Sequence, residues 1–122
     1  MEATIKQIGE LLPSGCTLVA CNNEGERLGH AHLTVEQNIA TLADIYVRAE
    51  VVEKLWIPLL KRKVCCRNQG IGSKLLGQVK ELCQASGIKI VSGQMVGDVG
   101  RLKKWYTKHG FEVIGETIKY NC

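Results

Sequence analysis

The 122-residue sequence predicts a single domain, residues 1–122, of the mixed α/β (α+β) class, with a mostly antiparallel central sheet and flanking helices. Three observations predict it. Apolar runs at 17–22, 28–35 and 39–48 are separated by turn residues at hairpin spacing. From Gly70 the apolar period changes to three and four residues, the mark of a helix with one buried face. Beyond it a short strand, a second helical stretch and a final strand or hairpin alternate. The composition agrees: 45% hydrophobic and 23% charged residues with a mean hydropathy of -0.02 exclude a disordered, collagen-like or coiled-coil chain.

Taken in order, residues 3–12 are expected to form a helix, with Ile5, Ile8, Leu11 and Leu12 on one face and Pro13-Ser14-Gly15 ending it. Residues 17–22 and 28–35 read as two strands joined by Asn23-Glu24-Gly25, and Glu36-Gln37-Asn38 turns the chain into a third strand at 39–48. Residues 49–66 lack clean periodicity and contain Pro58, so a long ordered loop with one helical turn is expected there. The next helix has Ile71, Leu75, Leu76, Val79 and Leu82 on its buried face and stops at Ser86-Gly87. After a strand at 88–94, Asp98 is the expected N-cap of a helix through Leu102, Trp105 and Tyr106, which Gly110 closes; residues 111–114 and 116–120 form the last strand or hairpin.

No apolar run approaches the ~20 residues that a membrane helix needs, and Met1-Glu2-Ala3 opens no signal peptide, so a soluble cytoplasmic protein with no membrane partner is expected. Cys16, Cys21, Cys65, Cys66, Cys83 and Cys122 contain no C-x-x-C pair and are expected to be free thiols without a structural metal. Residues 54–80 carry seven basic residues and no acidic one, a concentration that suits a phosphate-bearing partner. A nucleic acid is disfavoured as that partner, because aromatic residues make up only 5% of the chain and Trp56 alone interrupts the basic stretch.

The junction Arg67-Asn68-Gln69-Gly70-Ile71-Gly72-Ser73 puts a basic residue and two glycines where a loop becomes a helix. Glycine lets a ligand approach the main chain closely, and the free N–H groups and dipole of the first helical turn favour a phosphate. A Walker loop is excluded, since Gly72-Ser73-Lys74 reverses its Lys-Ser order, and a dinucleotide fingerprint would need glycine where Leu75 stands. The pattern resembles instead the Arg/Gln-x-x-Gly-x-Gly/Ala pyrophosphate motif of the GNAT superfamily, the acetyl-CoA-dependent N-acetyltransferases. Leu42-Ala43-Asp44-Ile45-Tyr46-Val47 resembles the family's central strand, and the hairpin around Leu18-Val19-Ala20 and Leu28-Gly29-His30-Ala31 resembles the one preceding it. Trp105-Tyr106-Thr107-Lys108-His109-Gly110-Phe111 is similar to the family's signature at the end of its last helix.

The resemblance covers roughly residues 16–115 and implies a GNAT-like domain shortened at its N-terminus, lacking the family's opening strand and longer helical region. It leaves the acceptor-site walls absent or supplied by a partner subunit, as in a homodimer. By resemblance, Ile45, Tyr46 and Val47 offer main-chain groups to the pantetheine arm of acetyl-CoA, and Arg67, Asn68, Gln69, Gly70, Ile71, Gly72 and Ser73 hold its pyrophosphate. Lys61-Arg62-Lys63 is expected to neutralise further phosphate charge. The implied reaction is direct transfer of an acetyl group to a primary amine of a small molecule or protein. Tyr106 protonates the departing thiolate, while Asp44, Glu50, Glu53, His30 and His32 are the candidates for taking the amine's proton. The alternative is a non-catalytic acyl-CoA-binding or regulatory domain.

Overall fold

The computed structural model describes residues 2–54, 61–67 and 70–122, with 51–54 and 61–64 described by backbone alone. Its elements are β1 (Thr4–Ile8), β2 (Gly15–Cys21), β3 (Arg27–Glu36), β4 (Ile39–Val47), β5 (Glu50–Lys54), β6 (Lys61–Cys65), α1 (Ile71–Ala85), β7 (Ile90–Gln94), α2 (Val99–Lys108), β8 (Glu112–Ile114) and β9 (Thr117–Asn121). Seven strands form one sheet in the order β1-β2-β3-β4-β7-β9-β8, and β5 and β6 pair separately. All neighbours are antiparallel except β4 and β7, which run parallel.

Two expectations are corrected. Residues 3–12 do not form a helix. Thr4–Ile8 is a strand paired to β2 from Thr4 opposite Cys21 to Ile8 opposite Thr17. A helix of about ten residues is marginal unless one face is well buried. Here only Leu11 is fully buried, while Ile8 and Leu12 stay exposed, so the β-branched Thr4, Ile5 and Ile8 gain more from pairing. An opening strand is therefore present, and a connection of residues 9–14 leads directly from it to β2. Residues 49–66 are likewise not a loop with a helical turn: Glu50–Lys54 and Lys61–Cys65 pair antiparallel, with Glu53 opposite Arg62. Pro58 lies outside the described residues, as does the helical turn expected there.

The core forms where α1 crosses β2, β3 and β4. Its face of Ile71, Leu75, Leu76, Val79 and Cys83 is buried against a cluster that includes Leu18, Ala20, Ala31, Leu33, Ala40 and Leu42. Alanines at three of these strand positions keep the sheet surface shallow beneath the helix. Each large aliphatic side chain buried there contributes on the order of 1.5–3 kcal/mol. Burial pushes the Cys83 thiol up to about 12, with smaller contributions from Cys122 and Cys16, and all six cysteines are free. The α1 helix ends as expected, with Gly87 at φ 78 and the Ile88 N–H bonded to the Cys83 carbonyl at 2.9 Å, a Schellman-type close. Asp98 caps α2, its carboxylate accepting from the Arg101 N–H at 3.3 Å. Among the described residues no helix is long and apolar enough to cross a membrane.

Gly29 is fixed by contact rather than by its dihedral angles. A Cβ there would meet the Tyr46 carbonyl oxygen at 2.4 Å and the Val47 Cα at 3.1 Å. Gly29→Ala must therefore push β3 away from β4. We expect it to lower stability by about 1–3 kcal/mol, read as a lower urea midpoint at unchanged m-value.

Candidate active site

The sheet opens along one seam. β4 and β7 pair from Ile39 opposite Ile90 to Leu42 opposite Gly93 and no further, whereas β4 stays paired to β3 as far as Val47 opposite Gly29. A register shift makes His32 face Asp44 while Leu33 faces Leu42, so Ala43 is the extra residue of a β-bulge at the point where the seam parts. The Arg48 N–H bonds to the Leu28 carbonyl at 2.8 Å. By the alternation of an antiparallel ladder, Tyr46 then directs its main-chain groups towards His30, while Ile45 and Val47 direct theirs into the cleft. Of the three residues expected to present main-chain groups there, two face the cleft and Tyr46 does not.

The N-terminus of α1 lies beside the end of β4. Gly70, in the left-handed region at φ 77, occupies the N-cap position without a side-chain cap, and a Cβ on it would enter open space. Lys74 makes the first helical bond, to the Gly70 carbonyl, so the N–H groups of Ile71, Gly72 and Ser73 have no partner within the helix. Gly72 is needed for closeness, since a Cβ would lie 3.3 Å from the Trp105 ring and 3.7 Å from Val47. Arg67 is exposed and donates its Nε to the Val47 carbonyl at 3.2 Å, fastening the junction to the cleft edge with the rest of the guanidinium still available. Asn68 and Gln69 lie outside the described residues, as do the side chains of Lys61, Arg62 and Lys63. The Ser73 hydroxyl is 3.0 Å from Nε2 of His109. It braces α1 to the end of α2.

Tyr106 is 4% exposed and packs its ring edgewise against Trp105 and Phe111. Burial raises its phenol above the usual tyrosine range, and the Asp44 carboxylate raises it further, so the two groups share one local field. Among the described residues no fully buried side-chain oxygen lacks a partner and Tyr106 makes no hydrogen bond, so its hydroxyl is not fully buried. Asp44 in turn meets Nε2 of His30 at 2.7 Å. His32 is held apart by Thr17, whose hydroxyl lies 2.8 Å from its Nδ1. Glu50 starts the separate hairpin, and the side chain of Glu53 is outside the described residues. Of the five candidates for taking a proton, the fold brings His30 and Asp44 together.

Neither a family model nor a curated protein matches the sequence. Solved structures do match it. The N-acetyltransferase PaiA of Thermoplasma acidophilum, in complex with coenzyme A, matches 89% of this chain and 62% of its own at 18% identity and a TM-score of 0.66. The chain has the GNAT acetyltransferase fold. A GNAT-family acetyltransferase of Staphylococcus aureus matches at 20% identity and a TM-score of 0.65, over 92% of this chain and 70% of its own. A Klebsiella pneumoniae protein provisionally named an acyl-CoA N-acyltransferase matches at 13% identity and a TM-score of 0.70, over 98% and 97%. This chain thus spans under two-thirds of the Thermoplasma protein's length and almost all of the Klebsiella protein's.

Within this GNAT fold, sequence reasoning missed His109 as a brace and could not single out the His30–Asp44 pair. The Ser73–His109 contact joins residues 36 positions apart. The His30–Asp44 contact depends on the bulge at Ala43, which no local pattern marks.

Burial, then Lys80 and Lys108, hold the His109 imidazole below its ordinary value of 6.5. A folded state that binds its proton less readily than the unfolded chain is fully favoured above that ordinary value. The advantage is lost as pH falls from there through the folded value. We expect the melting temperature of the protein to drop between pH 7 and pH 5, and the drop to be shallower in His109→Gln, in thermal melts at constant ionic strength.

Proposed function

We propose that the protein is an N-acetyltransferase that moves an acetyl group from acetyl-CoA to a primary amine. The observation that carries the reading is the cleft between β4 and β7, flanked by the α1 N-terminus and by Tyr106 and Asp44. The residues present fit acetyl-CoA. Open space above Gly70, unpaired first-turn N–H groups, the absence of acidic residues in that turn and the free part of Arg67 suit a pyrophosphate. The outward-facing main-chain groups of Ile45 and the N–H of Val47, whose carbonyl is taken by Arg67, suit the amide-bearing pantetheine arm, as an exposed strand edge does. That Thermoplasma PaiA was crystallised with coenzyme A supports the same assignment.

Bound there, acetyl-CoA supplies an activated acetyl thioester. The acceptor must attack as a neutral amine, and an amine with an ordinary pKa near 10.4 is protonated at pH 7, a cost of about 4 kcal/mol. The His30–Asp44 pair takes up that proton, with Asp44 orienting the imidazole through Nε2, which leaves Nδ1 to accept. The Tyr106 phenol is protonated at neutral pH even at its ordinary value of 10.0, and burial raises it further; its hydroxyl donates to the departing sulfur. Asp44 lies between the two sites of proton transfer.

The alternative, an acyl-CoA-binding domain without turnover, draws on the six-residue connection 9–14 between β1 and β2, which builds no helical wall over the sheet. Turnover decides between them: release of free thiol from acetyl-CoA, dependent on an added amine, is expected for the enzyme.

Two variants test the site. Gly70→Asp places a carboxylate in open space at the helix N-terminus. At φ 77 an aspartate is strained by about 1 kcal/mol, which should lower the melting temperature by a few degrees without unfolding the protein, while its affinity for acetyl-CoA falls at least about tenfold in calorimetric titration. Unchanged affinity would remove the proposed pyrophosphate site. Tyr106→Phe keeps the ring packing and removes only the donor. We expect kcat to fall about 10²–10⁴-fold with acetyl-CoA affinity nearly unchanged, and Asp44→Asn to act in the same direction. A folded Tyr106→Phe enzyme at wild-type rate would leave protonation of the thiolate to solvent.

A further inference from the structure

Strand alternation turns His30, Asp44 and Tyr46 to the face of the sheet that α1 does not cover, and an open groove of about 240 Å³ continues from them along β3 and β4. It is lined by Arg27, Leu28, Gly29, His30, Tyr46 and Arg48. At one end is the imidazole of His30, which is bonded to Asp44. At the other are Arg27 and Arg48. Arg48 is held in place by main-chain acceptors, its Nε bonded to the Glu50 carbonyl at 2.8 Å and one terminal nitrogen to the Arg27 carbonyl at 3.1 Å. Neither arginine has a carboxylate within ion-pair distance among the described residues, where His30–Asp44 is the sole such pair. The half-exposed ring of Tyr46, 5.8 Å from the His30 ring, gives the groove an apolar middle.

We propose that this groove selects an acceptor amine that carries an anionic group, carboxylate or phosphate, at the far end of a short aliphatic spacer. The inference rests on the acetyltransferase reading and adds the substrate class. The amine lies at the His30–Asp44 end, where its proton is removed. The anion lies between the guanidinium groups, whose fixed planar donors pair with carboxylate or phosphate oxygens. Methylenes lie against the Tyr46 ring. Strand geometry sets the spacer: Arg48 lies two residues beyond Tyr46, the residue opposite His30, or about 7 Å at ~3.3 Å per residue, a span that a four- or five-atom chain covers.

The test pairs 5-aminovalerate and 3-aminopropyl phosphate with pentylamine, which has a comparable amine and apolar chain but no anion. Acetyl-CoA binding is first measured by calorimetry, and turnover is then followed by thiol release at fixed ionic strength. We expect one or both anionic amines to exceed pentylamine in kcat/KM by about 10–100-fold, the worth of a charge-assisted pair, with the difference residing in KM. Whichever is preferred distinguishes a carboxylate from a phosphate site. Arg27→Gln, at an exposed side chain with no partner among the described residues, should shrink that preference towards that of the neutral amine. Failure of acetyl-CoA to bind would overturn the acetyltransferase reading itself. If acetyl-CoA binds, three results overturn the anionic-acceptor proposal: no turnover of any of the three amines, equal kcat/KM for all, or a preference that Arg27→Gln leaves intact.

Discussion

The architecture of the site depends on where one ladder of hydrogen bonds stops. Parallel pairing of β4 with β7 ends at Leu42 and Gly93, and the bulged Ala43 gives β4 one residue more than β3 can match. A strand that loses one neighbour at mid-length must expose unpaired main-chain groups, a liability that proteins usually blunt or cover. Here Ile45 and Val47 turn those groups towards a cleft bounded by the two helices, and the same bulge brings Asp44 within reach of His30. The bulge makes the slot and sets the carboxylate at its rim.

Around that slot the groups expected to meet a ligand divide into two kinds. Some are already bonded to one another: Arg67 to the Val47 carbonyl, Ser73 to His109, and the Lys80 amine to the His109 carbonyl at 2.9 Å. These contacts fasten the two helices to each other and to the end of β4, so the first turn of α1 is held in position before anything binds. Others are left open: the N–H groups behind Gly70, the remaining donors of Arg67 and the Tyr106 hydroxyl. A site that is rigid in its frame and open in its donors loses little conformational freedom on binding.

Much of this was legible in the sequence wherever structure is set locally. Asn23-Glu24-Gly25 and Glu36-Gln37-Asn38 mark the turns of the meander, Asp98 and Gly110 bracket α2, and Ser86-Gly87 ends α1, because turn and cap chemistry acts over a few residues. The glycine-rich junction was legible for the same reason. The register of Thr4–Ile8 was not: its apolar residues sit at helical spacing, and only pairing with β2 makes it a strand. In the β5–β6 hairpin the single proline was read as breaking the segment, but the pairing runs on either side of the residues around it. The acid-base groups were legible as candidates but not as a pair, since the contact between His30 and Asp44 needs two strands in register and a bulge.

The four residue pairs that do join β4 to β7 link positions about fifty residues apart, whereas β1 through β4 pair successive segments across short turns. Closing so long a loop loses chain entropy that four pairs alone repay poorly, so the parallel seam depends on α1, whose packing on the meander brings β7 alongside. The seam that parts to make the cleft is thus also the one in the sheet that joins the most distant segments of the chain.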